Sequence, residues 1–392
     1  MDVDTSQKLA QLCERLRGVE RFALDTEFVG EKSYTPTLEI IQVAAPGIEA
    51  IIDYQAVSDL ACFFDLLANP TIEKVLHAGS QDLEIFYRLS GHVPAPIFDT
   101  QVAAAMLGYG AQPGYSLLVE KLVGARVDKS ETMTNWSRRP LTAAQREYAI
   151  EDVCHLLPMR ERLVQQLRER GRLAWVMDEF GRMTAPESYN RPGPDEMWQR
   201  VKGASSLRPR QLAILRELAS WRDREARRLD RTRGSIVRDD ILVTIARKTP
   251  ATVEELRGLR GLYSREIDRY GQAILAAVKR GQQVPRRQLP HFSSNPALNG
   301  QEAALLELLQ GLLRARADEA GLAPALIANN SDLQTLVETR GQGHGQALPL
   351  LRGWRREIVG SDLLRIVQGR ADVGWDSQHR RLRLIAREGE RV

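Results

Sequence analysis

Cysteine is nearly missing from this chain: Cys13, Cys62 and Cys154 are the only three in 392 residues. They stand far apart with no metal-ligand spacing, which excludes a disulfide framework and points to a reducing compartment. Long apolar runs are absent too. No stretch approaches the ~18 residues that a membrane-spanning helix needs, and the opening MDVDTSQKLA is acidic and polar, unlike a signal peptide. A cytoplasmic protein with no membrane partner is the expectation. No low-complexity tract occurs. What remains is ordinary for a soluble protein, with 43% hydrophobic and 27% charged residues, and the length predicts two or three domains.

The net charge of +4 hides an asymmetry. Residues 1–200 hold 21 Lys and Arg against 29 Asp and Glu, a net −8; residues 201–392 hold 34 against 22, a net +12. Most of the excess lies in 201–300, with 21 basic and 10 acidic residues. An acidic half joined to a basic half points to a cation-binding site beside a polyanion-binding module, although solvated arginine-rich helix faces have the same composition.

Through about residue 160 the pattern alternates between strand and helix, as in an α/β domain. RFALDTEF, LEIIQVAA, EAIIDY, EKVLHAG and APIFDT read as five strands, the first three with the short links of an antiparallel meander. From Thr142 to about Arg170 the spacing predicts one long helix with a possible kink at Pro158. TAPESYNRPGPDEMW reads as a connector. Helical patterns fill Ser206 to Gly281. After a second proline-punctuated linker they return from Gln301 to about Arg370, in a tempo that echoes the preceding segment. The last twenty residues are basic and read as a short hairpin or a tail.

The chemistry-bearing residues begin with Asp25 and Glu27. A strand has a side-chain period of two, so both acids face one side, where their repulsion invites a cation. Further carboxylates must then converge on them, since hard cations such as Mg²⁺ and Mn²⁺ prefer oxygen ligands. Asp82, in HAGSQDLEIF, lies in the first turn of a helix after a strand, a place where an acid also complements the helix dipole. Tyr148 and Asp152, four residues apart, share one helix face. Glu151 competes with Asp152, and only the spacing to Tyr148 favours the latter. Lys129, Arg138 and Arg139 occupy the stretch before that helix and are candidates for phosphate contact. Phe28 is a candidate for stacking on a terminal base, with core packing as its other role. His77 and His155 are read as structural, because hard-cation sites rarely use imidazole. Nine arginines lie between Arg208 and Arg233 with Trp221 as the sole aromatic, so phosphate contact is the expected mode there and base stacking is minor.

Taken together, FALDTEF, HAGSQDLEIFYRL and TNWSRRPLTAAQREYAIEDVCHLLPM resemble the three motifs of the ribonuclease D family of 3′–5′ exonucleases, which carry four acids and a tyrosine. LRPRQLAILRELASWRDREARRLDRTRGSIVRDDILVTIARKTPATVEELRGLRGL resembles the HRDC domain that follows the nuclease in that family. The resemblance implies an α/β ribonuclease H-like nuclease domain with a mixed five-stranded sheet, followed by two all-α HRDC-type domains. The implied boundaries are 1–180 for the nuclease, 181–206 for a connector, 207–284 for the HRDC domain, 285–300 for a linker, 301–372 for a second HRDC-like domain and 373–392 for a basic tail. It also implies that Asp25, Glu27, Asp82 and Asp152 bind two divalent ions, Mg²⁺ or Mn²⁺, and that Tyr148 orients the attacking water. The implied activity is exonucleolytic trimming of structured RNA such as tRNA precursors, by a monomer, with release of nucleoside 5′-monophosphates. Asn135 stands where the family often has Asp, outside the acid set. A 3′–5′ DNA exonuclease and an inactive RNA-binding scaffold are the alternatives.

Overall fold

The structure, a computed structural model, describes residues 1–30, 33–57, 59–127, 134–190, 193–291 and 298–387. It divides into two compact units: residues 1–27, 40–189 and 295–392 form one, and 28–39 and 190–294 the other.

The first unit is built on strands β1 (Asp2–Val3), β2 (Arg21–Val29), β3 (Thr37–Ala45), β4 (Ile48–Asp53), β5 (Glu73–Leu76) and β6 (Ile97–Asp99) in the order β1-β4-β3-β2-β5-β6. Six strands thus replace the five expected. The extra one, β1, pairs only Asp2 with Ile51 and Val3 with Ile52, so it is too short to show an alternating pattern. Pairing of β3 with β4 is antiparallel, whereas β2–β5 and β5–β6 are parallel, which makes the sheet mixed. Phe22, Ala23 and Leu24 are all fully buried, as a strand covered on both faces requires. The parallel strands β2, β5 and β6 end on the same edge of the sheet, and chemistry concentrates at such carboxyl ends.

Helices α1 (Ser6–Arg17), α2 (Ala61–Ala68), α3 (Ser80–Ser90), α4 (Thr100–Ala105) and α5 (Tyr115–Leu118) follow in the chain. The long helix expected from Thr142 is two helices, α6 (Ala143–Cys154) and α7 (Leu156–Glu169), divided at His155. Pro158 has no N–H for the Cys154 carbonyl and its ring crowds that group, so the break falls one turn ahead of the proline. A capping box between Thr142 and Gln145 fixes the start of α6. Lys74 is fully buried and its ammonium donates to the carbonyls of Asn69 (3.0 Å), Ile72 (2.7 Å) and Ala95 (2.6 Å), tying two loops to β5. Burial pulls its pKa down to about 7. Cys13 and Cys62, 49 residues apart, have their sulfurs 3.1 Å from each other as free thiols. Their distance in sequence therefore said nothing of their distance in space.

The same unit includes the last helical segment. Trp354 is almost fully buried. Its ring stacks on Trp175 of α8 (Leu173–Met183) at 5.4 Å, and its indole N–H donates to Glu179. Arg355 forms a two-pronged ion pair with the same carboxylate.

The second unit contains α9 (Pro209–Arg228), α10 (Arg233–Ile236), α11 (Asp239–Lys248), α12 (Val253–Arg257) and α13 (Ser264–Gln283). Met197, Trp198, Val201 and Leu207, from the stretch expected as a connector and its border, are buried in this unit's core. After it come α14 (Gly300–Glu319), α15 (Pro324–Ile327), α16 (Asn330–Thr339), α17 (Gly353–Arg355) and α18 (Ser361–Val367). Helices α9, α10 and α11 are 20, 4 and 10 residues long, and so are α14, α15 and α16. They start at 209, 233 and 239 and at 300, 324 and 330, an offset of 91 in every case. The sequence echo is therefore a repeat in helix timing. The chain then forms a hairpin, β7 (Ala371–Asp376) with β8 (Arg381–Ala386). No helix among the described residues is long and apolar enough to cross a membrane.

Candidate active site

Asp25 and Glu27 lie at the carboxyl end of β2, both half-buried, with Thr26 between them turned into the interior. The Thr26 hydroxyl donates to Asp82, which sits in the first turn of α3 and is only 6% exposed. Asp152 comes from α6, one turn after Tyr148. Three elements distant in sequence thus supply the four acids.

The electrostatics show that the acids face one another. Burial raises the Asp25 carboxyl well above the usual range, and Asp82, Asp152 and Glu27 add to the effect. Glu27 is pushed up to about 8 by burial and then by Asp152 and Asp82. Asp152 rises to about 7 through burial and the neighbouring Glu151. Asp82 rises to about 6, again through burial, with the Thr26 hydrogen bond opposing. No cationic side chain is among the principal causes for any of the four. Asp152 acts on Asp25 and Glu27 while Glu151 acts on Asp152, which favours Asp152 over Glu151 as the member of the cluster.

Among the described residues no three His, Cys, Asp or Glu side chains are gathered closely enough to grip an ion as they stand. The donor set nonetheless suits a hard cation: carboxylates only, with concentrated negative charge and a low-dielectric surround.

Tyr148 is half-buried, with its ring 6.1 Å from that of Trp136, which packs with Ile40, Ile51, Leu141 and Ala149. Asn135 accepts from the backbone and hydroxyl of Ser137, so its carbonyl does the turn-forming work open to an Asp there. Arg139 is paired with Asp53 through Nε (2.5 Å) and Nη2 (2.9 Å), which engages its guanidinium within the protein. Arg138 is exposed and Phe28 half-buried. Lys129 lies outside the described residues.

Around the cluster, Thr26 and Tyr115 carry no signal in the sequence, whereas His77 is a residue expected to be structural. His77 shares a hydrogen bond of 2.9 Å with Thr100 and meets the Tyr115 ring edge-on at 5.5 Å. Burial pulls its pKa down to about 4, which keeps the imidazole neutral. The Tyr115 hydroxyl donates to the Glu151 carbonyl at 2.6 Å, fastening α6 just before Asp152. Thr26 carries no such signal because the period of two that aligns Asp25 and Glu27 puts the residue between them on the opposite face. A cavity of about 640 Å³ lined by Arg21, Ala45 and Leu157 among others contains none of the four acids.

Acids on a mixed sheet and its flanking helices define the class, and comparison with known proteins agrees: the 3′–5′ exonuclease family matches residues 2–168 and the HRDC domain matches 211–278. Among curated proteins, Ribonuclease D of Acidiphilium cryptum is 40% identical over 94% of this chain and 93% of its own length. Ribonuclease D of Nitrobacter hamburgensis is 40% identical over 94% and 95%. The crystal structure of Escherichia coli RNase D, described as an exoribonuclease involved in structured RNA processing, superposes with a TM-score of 0.86 at 33% identity. The match covers 94% of this chain and 98% of that one.

The chain belongs to the ribonuclease D family and is a 3′–5′ exoribonuclease.

Proposed function

We propose that this exoribonuclease trims the 3′ ends of structured RNA, tRNA precursors foremost, using two divalent cations, Mg²⁺ or Mn²⁺, held by Asp25, Glu27, Asp82 and Asp152. The observation that carries this reading is that four half-buried or buried carboxylates converge with raised pKa values, Asp82 and Asp152 acting on both Asp25 and Glu27, with no cationic side chain among the main causes. Bound ions supply an activated water near neutral pH and charge neutralisation at the departing 3′-oxygen, with nucleoside 5′-monophosphates as products.

The chain's own residues hold this arrangement. Asp25 and Glu27 are fixed by a strand whose Phe22, Ala23 and Leu24 are fully buried, Asp82 by the Thr26 hydroxyl, and Asp152 by α6, whose backbone Tyr115 fastens. Tyr148 orients the attacking water through its hydroxyl. A phenol of ordinary pKa ~10 positions better than it abstracts a proton at pH 7. Trp136 limits the swing of the Tyr148 ring. Arg138 and Lys129 are the candidate phosphate contacts and Phe28 the candidate stacking residue; Arg139 acts through its tie to Asp53. The HRDC match over residues 211–278 supports an HRDC domain at 207–284, and the common offset of 91 residues supports 301–372 as a second, HRDC-like copy. We read the protein as a cytoplasmic monomer.

The test is degradation of a 3′-extended tRNA with and without Mn²⁺, beside a DNA strand of matched sequence. Metal-dependent release of nucleoside 5′-monophosphates from the RNA is expected. Equal cleavage of both strands would remove the RNA preference, and metal-independent cleavage would remove the role given to the acids.

A further inference from the structure

Asp99 ends β6, has no exposed surface, and belongs to none of the acid motifs. Its carboxylate accepts four backbone N–H groups. Two come from the turn that leads into α3, Ala78 (3.3 Å) and Gly79 (2.8 Å). Two come from the first turn of α4, Gln101 (2.9 Å) and Val102 (3.1 Å). The register places this acid beside that turn, because Leu76 at the end of β5 pairs with Asp99.

The turn needs such a clamp. Gly79 precedes α3 and provides no side-chain cap, so the helix begins with orphan donors. Ala78 adopts a left-handed conformation (φ 55°), which is costly for a residue with a Cβ and persists only where the surroundings enforce it. A Cβ at Gly79 would stand 2.8 Å from the Leu76 side chain, so the turn has little room to choose another path. Asp82 follows three residues after Gly79, in the first turn of α3.

We infer that Asp99 is the positioning residue for Asp82: one buried carboxylate holds the β5–α3 turn and the start of α4 together, and so sets where α3 presents Asp82 to the other acids. The inference rests on reading Asp82 as a cation ligand. Asn at position 99 keeps the shape but turns an N–H₂ toward backbone donors, so at least one of the four hydrogen bonds is broken and the charge that draws them is removed.

The experiment titrates Mn²⁺ alone into the full-length chain by calorimetry, for wild type, Asp99→Asn and Leu12→Ala. The last makes a cavity in the same unit at a fully buried residue of α1 and serves as a general destabilisation control. Outer-shell partners of metal ligands typically contribute 10–100-fold in affinity. Mn²⁺ binding is therefore expected to weaken by about that factor in Asp99→Asn and to stay unchanged in Leu12→Ala. On a short oligoribonucleotide, Asp99→Asn should lose kcat with KM for the oligonucleotide unchanged. Wild-type Mn²⁺ affinity in Asp99→Asn, or an equal loss in Leu12→Ala, overturns the inference. If Asp99→Asn shows no cooperative melting transition, Asp99→Glu takes its place, because it keeps the charge and misplaces it by one methylene; wild-type affinity there overturns the inference equally. A wild-type chain that takes up no Mn²⁺ overturns both this inference and the reading on which it rests.

Discussion

Asp223, on α9, and Asp82, at the start of α3, are both almost completely buried, at 0% and 6% exposure. Burial alone would raise both carboxyls. Asp223 nevertheless stays below the usual range, because Tyr34, Arg233 and Arg227 outweigh the burial. The Tyr34 hydroxyl donates to it at 2.7 Å, and the guanidinium groups of Arg233 and Arg227 approach to 2.6 and 2.8 Å. Asp82 has a threonine hydroxyl as its partner and rises to about 6. One unit thus neutralises its buried acid internally. The other leaves a group of acids whose compensating charge must come from outside, and a divalent ion has the right sign, hardness and size. The same contrast revises the reading of the arginines. Of the nine between Arg208 and Arg233, Arg222, Arg227, Arg228 and Arg233 are paired with acids and Arg210 with backbone carbonyls. Much of the positive charge in that stretch is structural.

Asp25→Asn attacks the uncompensated side most directly. It removes the acid that the other three all perturb, and metal-assisted catalysis contributes several kcal/mol. Turnover on a labelled oligoribonucleotide should fall by more than about 10³-fold, while filter binding of the RNA persists. Near-normal turnover would show that the cluster is not the reaction centre.

Tyr148→Phe keeps the ring against Trp136 and deletes only the hydroxyl. Positioning effects of this kind are worth roughly 10²–10⁴ in rate, so kcat should drop within that range with KM unchanged. An unaltered kcat would reduce Tyr148 to a packing residue.

The compensated side is probed by Asp223→Ala, which leaves two arginines facing an empty pocket. Breaking a buried pair costs about 3–5 kcal/mol. The partially exposed arginines can turn to water, so the lower end, about 3 kcal/mol, is expected in urea unfolding of the helical unit. Exonuclease turnover on a short oligonucleotide, assayed below that transition, should be little changed. A loss under about 1 kcal/mol would mean that the pairing there is incidental.

Protons give a finer reading of the same contrast. Glu27 and Asp152 titrate near 8 and 7 without metal. Their folded pKa values exceed the unfolded ones of about 4, so their contribution to stability is full below that pH. It is lost as pH rises through 7 and 8. Cation binding requires the ionised forms, so Mn²⁺ uptake at pH 7 should release on the order of one proton. Calorimetry in buffers of different ionisation enthalpy measures that number, and zero would contradict the raised values.

The smallest effect is expected from the cations left over. Arg260, Arg265 and Lys279 are exposed and have no ion pair among the described residues. Changing all three to Gln should flatten the slope of log affinity against log salt for a tRNA precursor, by up to about 0.7–0.9 for each phosphate that a side chain no longer neutralises. An identical slope would assign the charge of 201–300 to folding alone. Excising 207–392 is a poorer test of that charge, because Trp354 and Arg355 are packed against α8 in the nuclease unit.

Local periodicity makes much of this protein legible from the order of its residues. Alternation puts Asp25 and Glu27 on one face, and a four-residue helical step does the same for Tyr148 and Asp152. Apolar runs mark β2 to β6, and helical spacing returns after the second linker in a similar tempo, whereas the 91-residue offset itself is read from the helix starts in the structure. These features depend on the 2.0 and 3.6 residue periods of strand and helix, which a few neighbouring residues determine. Tertiary structure alone decided the rest. Thr26 meets Asp82 across 56 residues, Asp99 holds Gly79 across 20, Arg139 finds Asp53 across 86, and Cys13 lies against Cys62 across 49. The two-residue β1 exists only because β4 offers it an edge. Such pairings arise from how strands register and helices pack, and a buried acid becomes a cation ligand or a structural clamp according to which donors that packing brings to it.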